Sequence, residues 1–230
     1  MAATSSDRSA DAQRRTSASG KCRLFTHLAA GHKIELFDNM TYHDYVYNPD
    51  SNRREVMLLR AALQKHTRKV KLRQGENGAP SAGGAGRGAL WDYPWTELTQ
   101  AKWNTRRLLG DLGQDIESSV FSLIEMNYTQ GPIHRMNFKG LLKSDASKRV
   151  IRPKIAYYAI QNVTSVFDHA LERIVELEHT HNLGTGGGNA HRYTHSTDRS
   201  LAVFGYRHKA TRKQVYTLGS ATAYPPMLTT

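Results

Sequence analysis

Apolar positions along the chain change repeatedly from short, strand-like runs to helical spacing, and the change occurs three times before residue 170. HKIELFDNM places Ile34, Leu36 and Phe37 in a short strand-like run that ends in polar and aromatic residues, TYHDYVYNPD. Asn48-Pro49-Asp50-Ser51 supplies a turn and a helix start, and Val56, Leu59 and Leu63 follow at helical spacing, so residues 52–66 read as an amphipathic helix. KVKLR (69–73) alternates basic and apolar residues as a second strand, which stops at the tight turn Gly75-Glu76-Asn77-Gly78. Beyond the glycine-rich loop SAGGAGRGALWDYP, a helix begins near Thr96. Leu98, Ala101, Thr105, Leu108, Leu109 and Leu112 lie along one face of it, and Gly113 stands where a C-terminal cap belongs. SSVFSLIEM (118–126) is the third strand, its run of Val120, Phe121, Leu123 and Ile124 suited to burial on both faces. Arg152-Pro153-Lys154 then opens a third helix reaching Asp168, proline being well placed in a first turn.

Strand and helix alternating three times predict an α/β fold built from about three βα units of a parallel sheet. After Asp168 the pattern becomes all-strand: RIVELEH, LAVFGYR and KQVYTLG, the last two joined by the polar turn HKATR, predict a short antiparallel β appendage. The expected organisation is a leader over 1–32, an α/β domain over 33–170 and a partial β-sandwich-like appendage over 171–230. Residues 1–20 contain one large apolar residue, Met1, and have nothing with which to build a core.

Composition narrows the function classes. The single cysteine, Cys22, excludes an internal disulfide and a multi-cysteine metal site. No apolar run approaches the roughly 18 residues of a membrane span and no secretory h-region is visible, so no membrane partner and, by default, a cytoplasmic location are expected. The formal charge of +12 invites a polyanion. Its carriers, among them Arg53, Arg54, Lys65, Arg106, Arg107, Lys148, Arg149, Arg212 and Lys213, are dispersed rather than gathered into a recognition element, so no nucleic-acid partner is expected. His179, His181, His191 and His195 have metal-compatible spacings but lie in a glycine-rich stretch read as a surface loop, so neither metal nor cofactor is expected.

In parallel α/β folds reactive groups gather where strands end. The first strand end offers Asp38, Asn39, Tyr42, His43 and Tyr45; the second Gln74, Glu76 and Asn77; the third Glu125, Asn127 and Tyr128. Rings beside carboxylates and amides suit a sugar, which presents apolar C–H faces and hydroxyl edges. Trp91 and Trp95 are candidates to line a subsite, whereas Trp103 falls within a helix and reads as packing. On the residues alone, Glu76 is equally well read as a solvated turn residue.

The order YHDYVYNP, KLRQGENGAPS, WTELTQAKWNTRRLLGDLG, SVFSLIEM, RPKIAYYAIQNVTSVFD, spanning about residues 33–218 with the trailing strands, resembles the C-terminal half of a retaining (β/α)₈-barrel glycoside hydrolase of the β-xylosidase and α-L-iduronidase group. The resemblance implies strands six to eight of a TIM barrel. It implies Glu76 as the catalytic nucleophile at the end of strand seven, followed by a Glu-x-x-Gln-Ala helix that falls on Glu97 to Ala101. Tyr42, His43, Tyr45, Asn77, Trp91, Glu125 and Tyr128 become the implied sugar contacts. The family's acid/base Glu, normally in an Asn-Glu pair at the end of strand four, has no counterpart upstream of His32. Two readings follow: a fragment of a glycosidase acting on O-glycosidic bonds and inactive alone, or a non-catalytic carbohydrate- or polyanion-binding module. The first carries an expectation of a complementing N-terminal half-barrel chain or of self-association, because the strand at 34–37 has no preceding neighbour.

Overall fold

The computed structural model describes residues 23–83, 89–128, 135–180 and 201–220. The leader over 1–20 and His181, His191 and His195 lie outside the described residues. The elements are α1 (residues 23–30), a 3-10 turn (Ile34–Leu36), β1 (Asn39–His43), α2 (Arg53–Gln64), β2 (Lys71–Asn77), α3 (Glu97–Gly113), β3 (Glu117–Val120), β4 (Met126–Tyr128), β5 (Arg135–Asn137), β6 (Leu142–Ser144), β7 (Val150–Pro153), α4 (Ile155–Val166), β8 (Leu171–Ile174), β9 (Leu201–His208) and β10 (Gln214–Ser220). The result is a mixed α/β arrangement of small sheets, β1-β2-β3 among them, with no closed barrel among the described residues.

The chain forms two compact units. The first comprises residues 1–42 and 52–73. Phe25, Ile34, Tyr42, Val56, Leu63, Val70 and Leu72 are buried in it. The first expected strand is displaced: Ile34 to Leu36 close a single 3-10 turn, with Leu36 N donating to Lys33 O at 3.1 Å, and the strand begins at Asn39. Four residues are too few for periodicity to separate one helical turn from a strand. Lys71 N donates to Asp38 O at 3.0 Å, and the Thr67 hydroxyl accepts from Lys69 N, shaping the entry into β2.

The second unit comprises residues 43–51 and 74–230. Its α3 starts where the sequence places it, with Thr96 as N-cap: the Thr96 hydroxyl accepts from Thr99 N and the Thr99 hydroxyl from Thr96 N, a reciprocal capping box. Its buried face differs from the expected leucine stripe. Gln100, Ala101, Trp103, Asn104, Arg107 and Asp111 are buried while Leu98 is exposed. Hydrogen bonds offset part of the cost of burying so polar a face: Arg107 Nε donates to Asp111 Oδ2 at 2.9 Å, and Ser118 Oγ to the same oxygen at 2.7 Å. Ala101 packs with Leu141 and Ala156 in the core between α3 and α4, with Val120 and Ile160 against it.

Gly113 is the last residue of α3 rather than its cap, which is Gln114. It is needed for a different reason: a Cβ there would lie 2.2 Å from Cδ2 of Phe204. The third strand is also shorter than expected. β3 ends at Val120, and Leu123, expected inside, is exposed. β3 pairs with β2 alone, and each of its residues is exposed or half-buried, so its run is not buried on both faces. The polar stretch that follows contains two antiparallel pairs, β4 with β5 and β6 with β7, too short to show an alternation. The expected appendage forms as one antiparallel sheet of order β10-β9-β8, with Tyr206 opposite both Val215 and Arg173 and its ring edge-on to Phe167 at 4.9 Å.

Candidate functional site

Glu76 is the penultimate residue of β2, and its side chain is 35% exposed. Gly78, the first residue beyond β2, adopts φ 154°, and a Cβ at that position would lie 2.2 Å from the Phe121 carbonyl oxygen, so the chain can pass there only as glycine. Gln74 Oε1 accepts from Glu76 N at 3.1 Å, which holds the backbone at the carboxylate.

Two of the residues expected beside Glu76 are there. Tyr45 donates its hydroxyl to Glu76 Oε1 at 2.8 Å, and His43 Nδ1 faces Glu76 Oε2 at 3.4 Å. Each carboxylate oxygen therefore has its own neighbour, which sets the orientation of the plane. The Tyr45 phenol is held far above its ordinary range, chiefly by burial and then by the hydrogen bond to Glu76, so it remains a donor.

A third residue was not legible in the sequence. Lys139 is buried, its Nζ 4.2 Å from the centroid of the Tyr45 ring, and donates to Ala89 O at 2.7 Å and Gly78 O at 3.1 Å. Nothing in FKGLLK marks one lysine from the next; only the fold separates them.

The remaining expected residues are dispersed. Asn77 is buried and donates to Ser118 Oγ at 2.8 Å and Ser119 O at 3.0 Å, binding β2 to β3. Glu125 is buried in an ion pair: Lys154 Nζ donates to its Oε1 at 2.8 Å and Ser144 N to its Oε2 at 3.1 Å. With both oxygens engaged, Glu125 stabilises the loops behind the site. Tyr128 is partly exposed and accepts from Asn137 Nδ2 at 3.2 Å, near enough to bear on the Tyr45 phenol. Trp91 is half exposed, whereas Trp95 joins Ala79, Leu90, Tyr93 and Trp103 in a core cluster. Tyr42 is buried in the first unit.

α3 supports the site from below through its buried polar face. Trp103 Nε1 donates to Val46 O and Tyr47 O at 3.0 and 3.1 Å, next to Tyr45. Gln100 Nε2 donates to Ala79 O and Asn104 Oδ1 accepts from Ala79 N, fixing the turn after Glu76. Gln100 also donates to Lys139 O at 3.1 Å. One helix thus fixes the backbones that carry Tyr45, Glu76 and Lys139.

The arrangement makes stability depend on pH. Burial pushes the Lys139 ammonium down to about 8 despite the opposing pull of Glu76. The unfolded chain therefore binds more protons than the folded one between about 8 and the unfolded value near 10.5, so stability rises with pH over that window and is lost again as pH falls through 8. The full effect is about 3 kcal/mol. Above about pH 10 the raised phenols of Tyr45 and Tyr206 act in the opposite direction, because the unfolded tyrosines ionise first. Urea unfolding at successive pH values is expected to show the midpoint climbing between pH 8 and 10 in the parent chain and the climb absent in Lys139→Met; equal slopes would exclude Lys139 as its source.

No family model matches the chain, and no curated protein matches it. Similar solved structures are a β-glucuronidase from Faecalibacterium prausnitzii, 17% identical over 56% of this chain and 21% of that chain at a TM-score of 0.37, and a β-galacturonidase from Eisenbergiella tayi bound to galacturonate, 15% identical over 57% and 24% at 0.40. A family 17 β-1,3-glucanosyltransferase from Rhizomucor miehei is 14% identical over 60% of this chain and 56% of that chain at 0.34. The chain spans between about a fifth and just over half of these proteins' lengths. All three TM-scores lie below 0.5 and fix neither fold nor activity.

Proposed function

We propose that the chain carries the nucleophile-bearing part of a retaining glycoside hydrolase, corresponding to strands six to eight of a (β/α)₈ barrel, with Glu76 attacking the anomeric carbon of an O-glycoside. The observation that carries this reading is the accessible Glu76 carboxylate, one oxygen held by the Tyr45 hydroxyl and the other facing His43. A retaining glycosidase needs such an oriented carboxylate and a second carboxyl about 5 to 5.5 Å away as acid and base. Glu125, the acid among the implied sugar contacts, is committed to Lys154 and Ser144, so the acid/base comes from elsewhere, by this reading from a complementing polypeptide.

Missing acid catalysis defines the test. Unactivated glycosides need leaving-group protonation, typically worth 10² to 10⁴-fold, and are expected to turn over at trace rates on this chain. Dinitrophenyl glycosides need no such help. A panel of pentosides, hexosides and hexuronides with that leaving group is expected to contain at least one that leaves a glycosyl ester on Glu76, mapped by peptide mass spectrometry and absent in Glu76→Gln. An ester mapped elsewhere, or none across the panel, removes the nucleophile assignment. Saccharide binding without any ester would favour the non-catalytic carbohydrate-binding module.

A further inference from the structure

Lys139 has the geometry of a clamp on the candidate site. Its ammonium is removed from water yet, among the described residues, faces no carboxylate at hydrogen-bond distance; its partners there are two carbonyls, Gly78 O and Ala89 O, and the face of the Tyr45 ring. A cation over a tyrosine face is attracted to the ring electrostatically, more so when both are desolvated. Gly78 is two residues beyond Glu76, and Tyr45 donates to Glu76 itself. The side chain therefore grips both the turn that ends β2 and the ring that orients the carboxylate.

We infer that Lys139 is a positioning residue for Glu76, acting through the Tyr45 ring and the Gly78 turn without touching the ligand. Its kinetic consequence rests on the glycosidase reading; its coupling to Glu76 does not. The titratable groups around it are Glu76 and His43 at the ends of β2 and β1, Tyr45, and Tyr128 beside Tyr45. Tyr45 stays neutral throughout the range in which the lysine titrates, so the state of the clamp follows Lys139. Protonated, the lysine holds ring and turn together; neutral, it keeps a carbonyl contact and loses the attraction to the ring.

Two measurements on the full chain test this. In the first, the Lys139 amino group is followed by nitrogen-15 NMR across pH, assigned by its loss in Lys139→Met. Its midpoint is expected near pH 8 and is expected to fall by about half a unit or more in Glu76→Gln, the size of a Coulomb coupling through partly buried protein. An unchanged midpoint overturns the inference, whether or not the chain reacts with glycosides. In the second, esterification of Glu76 by a reactive dinitrophenyl glycoside is timed across pH. The parent rate is expected to drop as pH rises through about 8, and Lys139→Met to be roughly tenfold slower at neutral pH with no such drop. A purely structural lysine would slow the variant but put no break in the parent profile, and a parent without the break overturns the clamp. If no glycoside labels the parent, the glycosidase reading fails and the NMR coupling alone decides the role of Lys139. Should Lys139→Met not fold, the amino resonance is assigned instead from its contact with the Tyr45 ring, 4.2 Å away, so that arm still decides.

Discussion

Lys154→Met is expected to destabilise the second unit by about 3–5 kcal/mol, a large share of an ordinary total of about 5–15 kcal/mol. Both partners of the Lys154–Glu125 pair are buried, and burial holds the Lys154 ammonium below the usual lysine range against the pull of Glu125. Such a pair adds little relative to an apolar substitute, because desolvation offsets attraction. Removing one partner is another matter, since it leaves a carboxylate in the interior with only the Ser144 amide and the Ser81 hydroxyl, 3.4 Å away, for company. Ser81 Oγ, 2.9 Å from Lys154 Nζ, loses that donor as well, whereas Phe138 O, at 3.1 Å, keeps Ser81 N at 2.9 Å. The double variant Lys154→Met/Glu125→Leu is expected to recover much of the loss. Urea unfolding of the parent and both variants reads this directly. A single-variant cost below about 1 kcal/mol would show that water reaches the pair.

Trp103→Ala is expected to cost a similar amount, about 3–5 kcal/mol, and to reach the site as well. The indole is fully buried among Ala79, Leu90, Tyr93 and Trp95, with Tyr45 and Tyr47 packed against the cluster. Truncation leaves a cavity beneath the Tyr45 segment and leaves the Val46 and Tyr47 carbonyls without the indole N–H. Trp103→Phe separates the two contributions: it keeps most of the volume and removes the donor, for an expected loss of about 1–3 kcal/mol. Thermal melts give the stabilities, and the Tyr45 hydroxyl resonance reports whether the bond to Glu76 survives. An alanine variant with that resonance unmoved would mean that α3 does not hold the segment.

How much of this was legible beforehand depends on the length of the signal. α2, α3 and α4 were readable because a dozen or more residues repeat one period, and Thr96 marked the start of α3; Arg152 and Pro153, expected to open the third helix, instead end β7, and α4 begins at Ile155 after Lys154 as N-cap. β9 and β10 were readable for the same reason, as long runs around a polar turn. The 3-10 turn at Ile34 and the pairs β4–β5 and β6–β7 were not, because three or four residues carry no period.

Within the candidate site, the sequence by itself determined that Glu76 lies near a strand end, where a strand-like run meets glycines; the strand runs on through Asn77 rather than stopping at a turn over 75–78, and Gly78 beyond it has no room for a side chain. Tyr45 and His43 were named from the same reasoning about strand ends. Only the tertiary structure decided which neighbours meet it. It brought Tyr45, 31 positions away in sequence, onto Glu76 and committed Glu125 to Lys154 instead. It also chose Lys139 and the buried amides of α3 as the supports. Local pattern records where the backbone runs and which residues prefer burial, whereas a hydrogen bond between distant residues depends on side-chain geometry that exists only once the chain has packed.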